Sequence, residues 1–232
     1  MSDEKEINVF IIDDEEKNLV KHSGIMKQFE GAKVNITTFP SVHDVIKHIA
    51  GEVVEASGLP ERWEVTSENI KKIREGLTKF KNLPHFFLTD YMTYDDDFMI
   101  PKDIQPTGGT LARLMKDTGI GVLIVSGLDN SIIMGELKEA AFNKGIKVIG
   151  KDKKAQMLEK YLGDTIFDQE EVKTEMKNAE KEFSGLVLAK VKETMKGALL
   201  EAERLGTPSP QIMHIKNLNL SPAAIDGTIP RG

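Results

Sequence analysis

The sequence predicts an α/β fold in which a five-stranded parallel sheet is covered by helices on both faces, with a long helix near the C-terminus. Short apolar runs typical of buried strands alternate with stretches whose apolar residues recur at helical spacing. In addition, polar residues directly follow four of the predicted strands: Asp13-Asp14, Asp90, Ser126 and Lys151. Because parallel strands end at the same edge of a sheet, these residues are expected to converge there.

The first elements follow the chain in a strand–helix–strand–helix order. Residues 7–12 are almost continuously apolar, as expected for a central strand covered on both faces. Residues 16–29 carry apolar side chains at helical spacing, and residues 34–39 alternate like a half-buried strand. Ser41 is a suitable N-cap for a short helix whose apolar face runs to Ile49.

Residues 51–82 interrupt this alternation. Gly51, Gly58 and Pro60 predict a break after the second helix. A further helical pattern covers residues 67–81, with Ile70, Ile73, Leu77 and Phe80 on its apolar stripe. We interpret 51–82 as an insertion or as an elongated helical hairpin.

The alternation resumes after this segment and ends with a helix beside the last strand. A long acidic loop, 90–107, separates the third strand from the next helix. The predicted elements are a strand at 85–89, a helix at 110–117, a strand at 121–125, a helix at 131–144, a strand at 146–149 and a helix at 153–162. This order predicts a parallel sheet with helices on both faces.

Composition excludes several classes of site. The chain of 232 residues contains no cysteine, which excludes disulfides, thiolate catalysis and cysteine metal sites. The net charge is −6, and the residues from Lys151 onward contain 13 Lys or Arg against 13 Asp or Glu, so no basic output domain is predicted. The charged N-terminus is unlike a signal peptide, and no apolar run reaches the roughly 18 residues of a membrane span. We therefore expect a cytoplasmic protein without nucleic-acid or membrane partners.

A long amphipathic helix is predicted over residues 168–205. Its apolar residues step by three or four from Val172 to Leu205, and Phe183 lies near the middle of the stripe. Such a helix needs a partner, which can be its own domain, a second copy in a homodimer through 168–205, or another protein. We accordingly divide the chain into a domain at 1–163, the helix at 164–206 and a proline-containing tail at 207–232 that is expected to be extended or disordered.

The polar residues after the strands suit magnesium-assisted phosphoryl transfer. Asp13, Asp14 and Asp90 can supply the oxygen ligands that Mg²⁺ prefers, together with a backbone carbonyl just past Asp90. A divalent cation would relieve the repulsion among the carboxylates and neutralise an incoming phosphoryl group, so that Asp90 could act as a nucleophile. Ser126 and Lys151 could donate hydrogen bonds to phosphoryl oxygens.

This ordered set of motifs resembles the receiver domain of two-component response regulators. The resemblance covers about residues 5–163 without 51–82, and its motifs are VFIIDDE at 9–15, FLTD at 87–90, LIVSG at 123–127 and VIGK at 148–151. It implies a flavodoxin-like sheet with strand order 2-1-3-4-5. It also implies that Asp90 accepts a phosphoryl group from a histidine kinase or a histidine phosphotransfer protein.

By the same resemblance, Asp13, Asp14, Asp90 and the main-chain carbonyl of Met92 would bind Mg²⁺. Ser126 and Lys151 would contact the phosphoryl group and couple it to a conformational switch. The output would be protein–protein contact with a downstream protein, and the only chemistry would be the protein's own phosphorylation and dephosphorylation.

The sequence departs from the receiver pattern at several positions. The loop after Asp90 lacks the usual Met-Pro pair, and Ser126 follows Asp90 by 36 positions (126 − 90 = 36), a spacing that is longer than expected. Val148 stands where the family has a switch aromatic, and Asp152 stands where it has a proline after the lysine. These departures affect the expected output route more than the acceptor chemistry.

Two other functions compete with the phospho-acceptor. One is a degenerate receiver that acts only as a scaffold. The other is a magnesium-dependent phosphohydrolase of the haloacid-dehalogenase type. That family requires a second acid two residues after its nucleophile, and Met92 occupies this position after Asp90. The acidic run Asp95-Asp96-Asp97 can extend a cation site or form a solvated loop, and we favour the loop. The five histidines show no metal-ligand spacing.

Overall fold

The fold is a doubly wound α/β sandwich. A computed structural model describes residues 6–59, 65–93, 105–128, 130–137, 143–162 and 168–206. All strands pair in parallel, in the order β2-β1-β3-β4-β5, as predicted. They are β1 (Glu6–Ile12), β2 (Lys33–Phe39), β3 (Phe86–Thr89), β4 (Gly121–Ser126) and β5 (Ile146–Gly150).

Helices lie on both faces of the sheet, which confirms the predicted fold class. They are α1 (Glu16–Met26), α2 (Val42–Ala56), α3 (Ser67–Glu75), α4 (Gly108–Met115), α5 (Asn130–Leu137), α6 (Lys153–Tyr161) and α7 (Gln169–Leu205), with a short 3₁₀ helix at Leu77–Lys79. None of these described helices is long and apolar enough to cross a membrane. The acidic run 95–97 and the tail 207–232 lie outside the described residues, as do residues 138–142 of the helix predicted at 131–144.

The two faces of the sheet carry separate apolar cores. Alternate side chains of each strand point to opposite faces, so Phe10 and Ile12 join one core while Ile7, Val9 and Ile11 join the other. The first core is closed by α2, α3, α4 and α5, and the second by α1 and α7. All residues of β3 and β4 are buried, as expected for central strands of a parallel sheet.

The predicted break at Gly51 is wrong, because α2 continues through it to Ala56. A glycine inside a helix costs only about 1 kcal/mol, and the extra turn buries Val53 and Val54 in the core. The helix predicted at 67–81 is shorter than expected and ends at Glu75. At Gly76 a Cβ atom would lie 2.3 Å from Cγ1 of Val53, so the chain needs a glycine where it leaves α3.

The long helix α7 packs against its own sheet. Phe183, Val187, Val191 and Met195 belong to the same core as the strands and α1. Near its C-terminal end, Gly197 and Ala198 contact Lys144 and Gly145 before β5, whereas Glu175 near its start pairs with Lys154 of α6. Of the three partners considered for this stripe, the structure identifies the chain's own domain, so the stripe is not available as a homodimer seam.

Candidate functional site

The predicted site residues meet at the carboxyl edge of the sheet. Hydrogen bonds between neighbouring strands continue just past their ends: Asp90 N donates to Ile12 O at 2.8 Å, and Lys151 N donates to Ser126 O at 2.8 Å. Asp13 N likewise donates to Phe39 O at 3.2 Å. The backbone positions of Asp13, Asp90 and Lys151 are therefore set by the sheet itself.

A half-buried lysine and two buried carboxylates form the centre of the site. Lys151 Nζ lies 2.7 Å from Asp90 Oδ2 and 3.7 Å from Asp13 Oδ2. Asp13 is fully buried and Asp90 is 7% exposed, so both carboxylates are largely withdrawn from water. Charges held this way are costly unless they are paired, and one ammonium serves two carboxylates here.

The carboxylates of Asp13, Asp14 and Asp90 can bind a divalent cation. One oxygen of each lies within 4.8 Å of the others. Asp13 Oδ1 accepts hydrogen bonds from Glu15 N and from Asn18 Nδ2, both at 3.0 Å. Asp13 Oδ2 is buried and has no hydrogen-bond partner among the described residues. A buried carboxylate oxygen of this kind fits a cation ligand, since Mg²⁺ is bound by carboxylate oxygens and water.

The environment of Asp90 shifts its protonation. Burial raises the pKa of Asp90 to about 6, although the hydrogen bond and the charge of Lys151 act in the opposite direction. The neighbouring carboxylates of Asp13 and Asp14 raise this pKa further. Burial lowers the pKa of Lys151, but its hydrogen bond to Asp90 and the charges of Asp90 and Asp13 outweigh burial and raise that pKa. The lysine therefore stays charged near neutral pH.

The loop after Asp90 is held by hydrogen bonds that backbone N–H groups donate to side-chain and backbone oxygens. Tyr91 N donates to Asp90 Oδ1 at 2.6 Å, which fixes the carboxylate against its own loop. Gly108 N donates to Tyr91 O at 2.8 Å, and a Cβ atom at Gly108 would lie 2.4 Å from Asp90 O. Thr93 Oγ1 accepts from Val42 N at 3.0 Å and so ties the loop to the start of α2. The start of α4 can approach the loop after Asp90 only because residue 108 is glycine.

Ser126 and Met92 lie in the elements that surround this centre. Ser126 is the buried last residue of β4, and its Oγ accepts a hydrogen bond from Leu128 N at 3.2 Å. That bond uses the hydroxyl as an acceptor and leaves its O–H as a donor. Met92 follows Asp90 by two residues and packs its side chain against the core. Its main-chain carbonyl as a fourth ligand stays a prediction.

The two sequence departures on the β5 side have different structural roles. Val148 is half-buried and packs against the core that contains α4 and α5. Asp152 is buried and forms the N-cap of α6, where its Oδ1 accepts from Ala155 N at 3.0 Å. Its Oδ2 lies 3.5 Å from Lys21 Nζ. The negative charge predicted beside the site is thus used to cap a helix and to form an ion pair.

Sequence reasoning missed three polar residues of α1. Asn18 donates to Asp13, Lys21 pairs with Asp152, and His22 is buried. Burial lowers the pKa of His22 to about 4, so the ring is neutral at pH 7. Asn18 and His22 lie four residues apart, and Ile25 follows on the helix face that packs on the sheet. Polar residues at core-facing positions of α1 were the signal that could have identified them.

Comparison with known proteins leaves the family open. No family model matches the chain, and no curated protein matches it. Among solved structures, RcsB, a response regulator of Salmonella typhimurium, is 15% identical over 90% of this chain and 98% of its own, with a TM-score of 0.37. RcsB from Salmonella enterica serovar Typhimurium bound to promoter rprA is 17% identical over 67% of this chain and 95% of its own, with a TM-score of 0.34.

A third solved structure, a pilus assembly-related protein from Burkholderia pseudomallei K96243, is 13% identical over 75% of this chain and 90% of its own. Its TM-score is 0.31. These scores are too low to support a functional argument. The fold assignment therefore depends on the strand order and helix placement of this chain itself.

Proposed function

We propose that this protein is a receiver-type signalling protein in which Asp90 accepts a phosphoryl group in a magnesium-dependent reaction. The observation that carries the proposal is the cluster in which Lys151 donates a hydrogen bond to Asp90 and also lies 3.7 Å from Asp13 Oδ2, an oxygen with no hydrogen-bond partner among the described residues. An aspartate that only caps a turn is usually exposed to solvent. Asp90 is instead buried beside two further carboxylates and a lysine, which is typical of a functional site.

The chemistry follows from the protonation states. With a pKa of about 6, Asp90 is mainly ionised at pH 7 and has a lone pair available for attack on phosphorus. An Asp90 oxygen forms a bond to phosphorus while the bond from phosphorus to the donor's leaving group breaks, and the leaving group takes the electron pair. Bound Mg²⁺ would supply charge neutralisation on the phosphoryl oxygens.

Residues of the chain would orient the phosphoryl group. Lys151 would exchange part of its contact with the Asp90 carboxylate for a contact with a phosphoryl oxygen, as a compact positive charge. Ser126 would donate its O–H to another phosphoryl oxygen and act with Lys151 as the switch. Asp13, Asp14, Asp90 and the Met92 carbonyl would hold the cation.

The biological setting is part of the same proposal. The phosphoryl donor would be a histidine kinase or a histidine phosphotransfer protein in the cytoplasm, and the output would be contact with a downstream protein. Residues 1–163 would form the receiver unit, and the insertion predicted at 51–82 would begin only after α2 ends at Ala56. Because the stripe of α7 packs on the sheet, contact with the downstream protein would involve another surface.

The haloacid-dehalogenase alternative has less support. That chemistry needs a second acid two residues after the nucleophile, and Met92 occupies this position with its side chain packed against the core. The scaffold alternative predicts that the acceptor centre has lost a charge or a ligand. The carboxylates of Asp13 and Asp90 and the amine of Lys151 are all present within ion-pair distance.

The test is phosphorylation by a small phosphodonor. The protein is incubated with acetyl phosphate and Mg²⁺, and intact mass is followed for one acid-stable, base-labile phosphoryl group. We expect the wild type and Glu30→Gln, which changes an exposed carboxylate, to form the adduct. Asp90→Asn and wild type with EDTA should not form it.

An adduct on Asp90→Asn at the wild-type rate would overturn the proposal. Absence of any adduct on the wild type, together with no affinity for Mg²⁺, would favour the scaffold. Continuous hydrolysis of many phosphate esters would favour the phosphohydrolase.

A further inference from the structure

The residue after Lys151, Asp152, forms a second ion pair, with Lys21 of α1. Asp152 Oδ2 is 3.5 Å from Lys21 Nζ, and the two residues are 131 positions apart in the chain. The Asp152 side chain is 6% exposed and the Lys21 side chain is 32% exposed. This pair is therefore better shielded from solvent than the ion pair of Lys154 with Glu175, in which both side chains are about half exposed.

Lys21 joins three elements at this point. It projects from α1, pairs with Asp152 in the connection between β5 and α6, and places its ammonium 5.0 Å from the centroid of the Phe183 ring on α7. A cation over an aromatic ring at this distance is an attractive contact. The connection after β5 is thus held from the side of α1 and α7.

The same aspartate also anchors the start of α6. Asp152 Oδ1 accepts from Ala155 N at 3.0 Å, which leaves Oδ2 for Lys21. On the other side of Lys151, its own backbone N–H donates to Ser126 O at 2.8 Å. The backbone of Lys151 is therefore fixed between a β4 carbonyl and the Asp152 anchor, while its ammonium reaches Asp90.

We propose that Asp152 and Lys21 are positioning residues that hold Lys151 at its working distance from the phosphoryl acceptor. The inference rests on the proposed function, in which Lys151 contacts the phosphoryl group during transfer. Neither residue is assigned a contact with the reacting atoms. A displacement of about 1 Å in a group that contacts the reacting atoms can slow a reaction by as much as 100-fold.

The test uses variants that separate the ion pair from the cap. Asn is as good an N-cap as Asp, so Asp152→Asn keeps the start of α6 and removes the charge. Lys21→Met removes the other charge from a partly exposed position. The rate of Mg²⁺-dependent phosphorylation by acetyl phosphate is measured for each variant and for the double variant, and Mg²⁺ affinity is measured by calorimetric titration.

We expect each single variant to be phosphorylated about tenfold more slowly than the wild type. The estimate is by analogy with residues that orient metal ligands through hydrogen bonds without contacting the metal themselves. The double variant should be no slower than the singles, because both changes break one contact. Lys21→Arg should restore most of the rate, and Mg²⁺ affinity should be unchanged throughout. Lys154→Met, which breaks the exposed ion pair between α6 and α7, should be phosphorylated like the wild type.

If the wild type forms no adduct, the proposed function fails. If the wild type is phosphorylated and both single variants match its rate, the positioning role is refuted. A parallel loss of Mg²⁺ affinity and rate in both single variants would also refute it, because that pattern indicates a general structural role.

Discussion

The carboxyl edge of the sheet and the face covered by α1 and α7 use the same strands but differ in what they bury. At the edge, Asp13, Asp90 and Lys151 bring three charges together, and one carboxylate oxygen has no hydrogen-bond partner among the described residues. On the face, Val187, Val191 and Met195 are fully buried among apolar neighbours.

Because they bury different groups, the two regions contribute to different properties of the protein. Buried like charges weaken the folded state unless a cation or proton compensates them, whereas apolar burial strengthens it by about 25 cal/mol per Å². Changes on the face should therefore lower stability and spare the chemistry of folded molecules. Changes at the edge should remove the chemistry at little cost to the fold.

The largest expected effect tests the face. Val191→Asp places an unpaired charge in the core between α7 and the sheet, and we expect it to lower the free energy of unfolding by about 4 kcal/mol in urea titrations. Leu186→Asp is the matched control, because Leu186 is 45% exposed on the same helix. It should change stability by no more than about 0.5 kcal/mol.

Equal effects of these two substitutions would mean that α7 does not pack on the sheet in solution. If Val191→Asp instead halves the mass in sedimentation without lowering stability, the stripe is a dimer seam after all.

The sheet and the convergence of polar residues at its carboxyl edge were predictable from sequence for a physical reason. Each buried strand is a local apolar run, and once the strands are parallel their polar successors must lie at one edge. Asp13, Asp90 and Lys151 therefore meet in the structure as expected.

The packing of α7 and the ion pair of Lys21 with Asp152 could not be predicted in the same way. The apolar stripe of a helix indicates that a packing partner exists but does not identify that partner. The ion pair joins residues 131 positions apart, so no local sequence pattern indicates it. Likewise, the burial of Val53 and Val54 outweighs the local tendency of Gly51 to end α2.

The second prediction sharpens the contrast through the metal. If the buried Oδ2 of Asp13 is a cation ligand, Mg²⁺ at 100 times its Kd should stabilise the wild type by about 2.7 kcal/mol. Asp13→Asn should lose most of this gain, whereas Glu16→Gln, an exposed acid in the first turn of α1, should keep it. Urea unfolding with and without Mg²⁺ measures the difference.

Equal stabilisation of the wild type and Asp13→Asn would show that Mg²⁺ acts elsewhere. The carboxyl edge would then be an ordinary charged cluster, and the contrast with the face would lose its functional meaning.

The third prediction concerns pH in the absence of Mg²⁺. The pKa of Asp90 is raised to about 6 in the folded protein from the ordinary value of 3.8. The folded state therefore binds this proton more tightly, and the resulting stability is present below pH 3.8 and is lost as the pH rises through 6. Relative to Asp90→Asn, the wild type should lose about 2 kcal/mol of stability between pH 4 and pH 7.

Urea unfolding of both proteins across this pH range, in EDTA, checks the sign. A wild type that gains stability relative to Asp90→Asn as the pH rises would mean that Lys151 outweighs burial. The carboxyl edge would then stabilise the folded state at neutral pH, as the face covered by α1 and α7 does, and the two regions would not differ in their effect on stability.

The smallest expected effect separates two glycines of α7. At Gly197 a Cβ atom would lie 2.0 Å from Lys144 O, so Gly197→Ala must push the helix away from the turn before β5. At Gly185 no other group lies within 4 Å of that position among the described residues, so Gly185→Ala should gain up to about 1 kcal/mol of helix propensity. Overpacking at Gly197 should outweigh the same gain and leave a net loss of about 1 kcal/mol.

Urea unfolding should therefore show changes of opposite sign in the free energy of unfolding for the two variants, with unchanged Mg²⁺-dependent phosphorylation. This result would locate the close contact between α7 and the sheet at the end of the sheet remote from Asp90. Stabilisation by both substitutions would mean that apolar burial alone, without this backbone contact, holds the helix on the face.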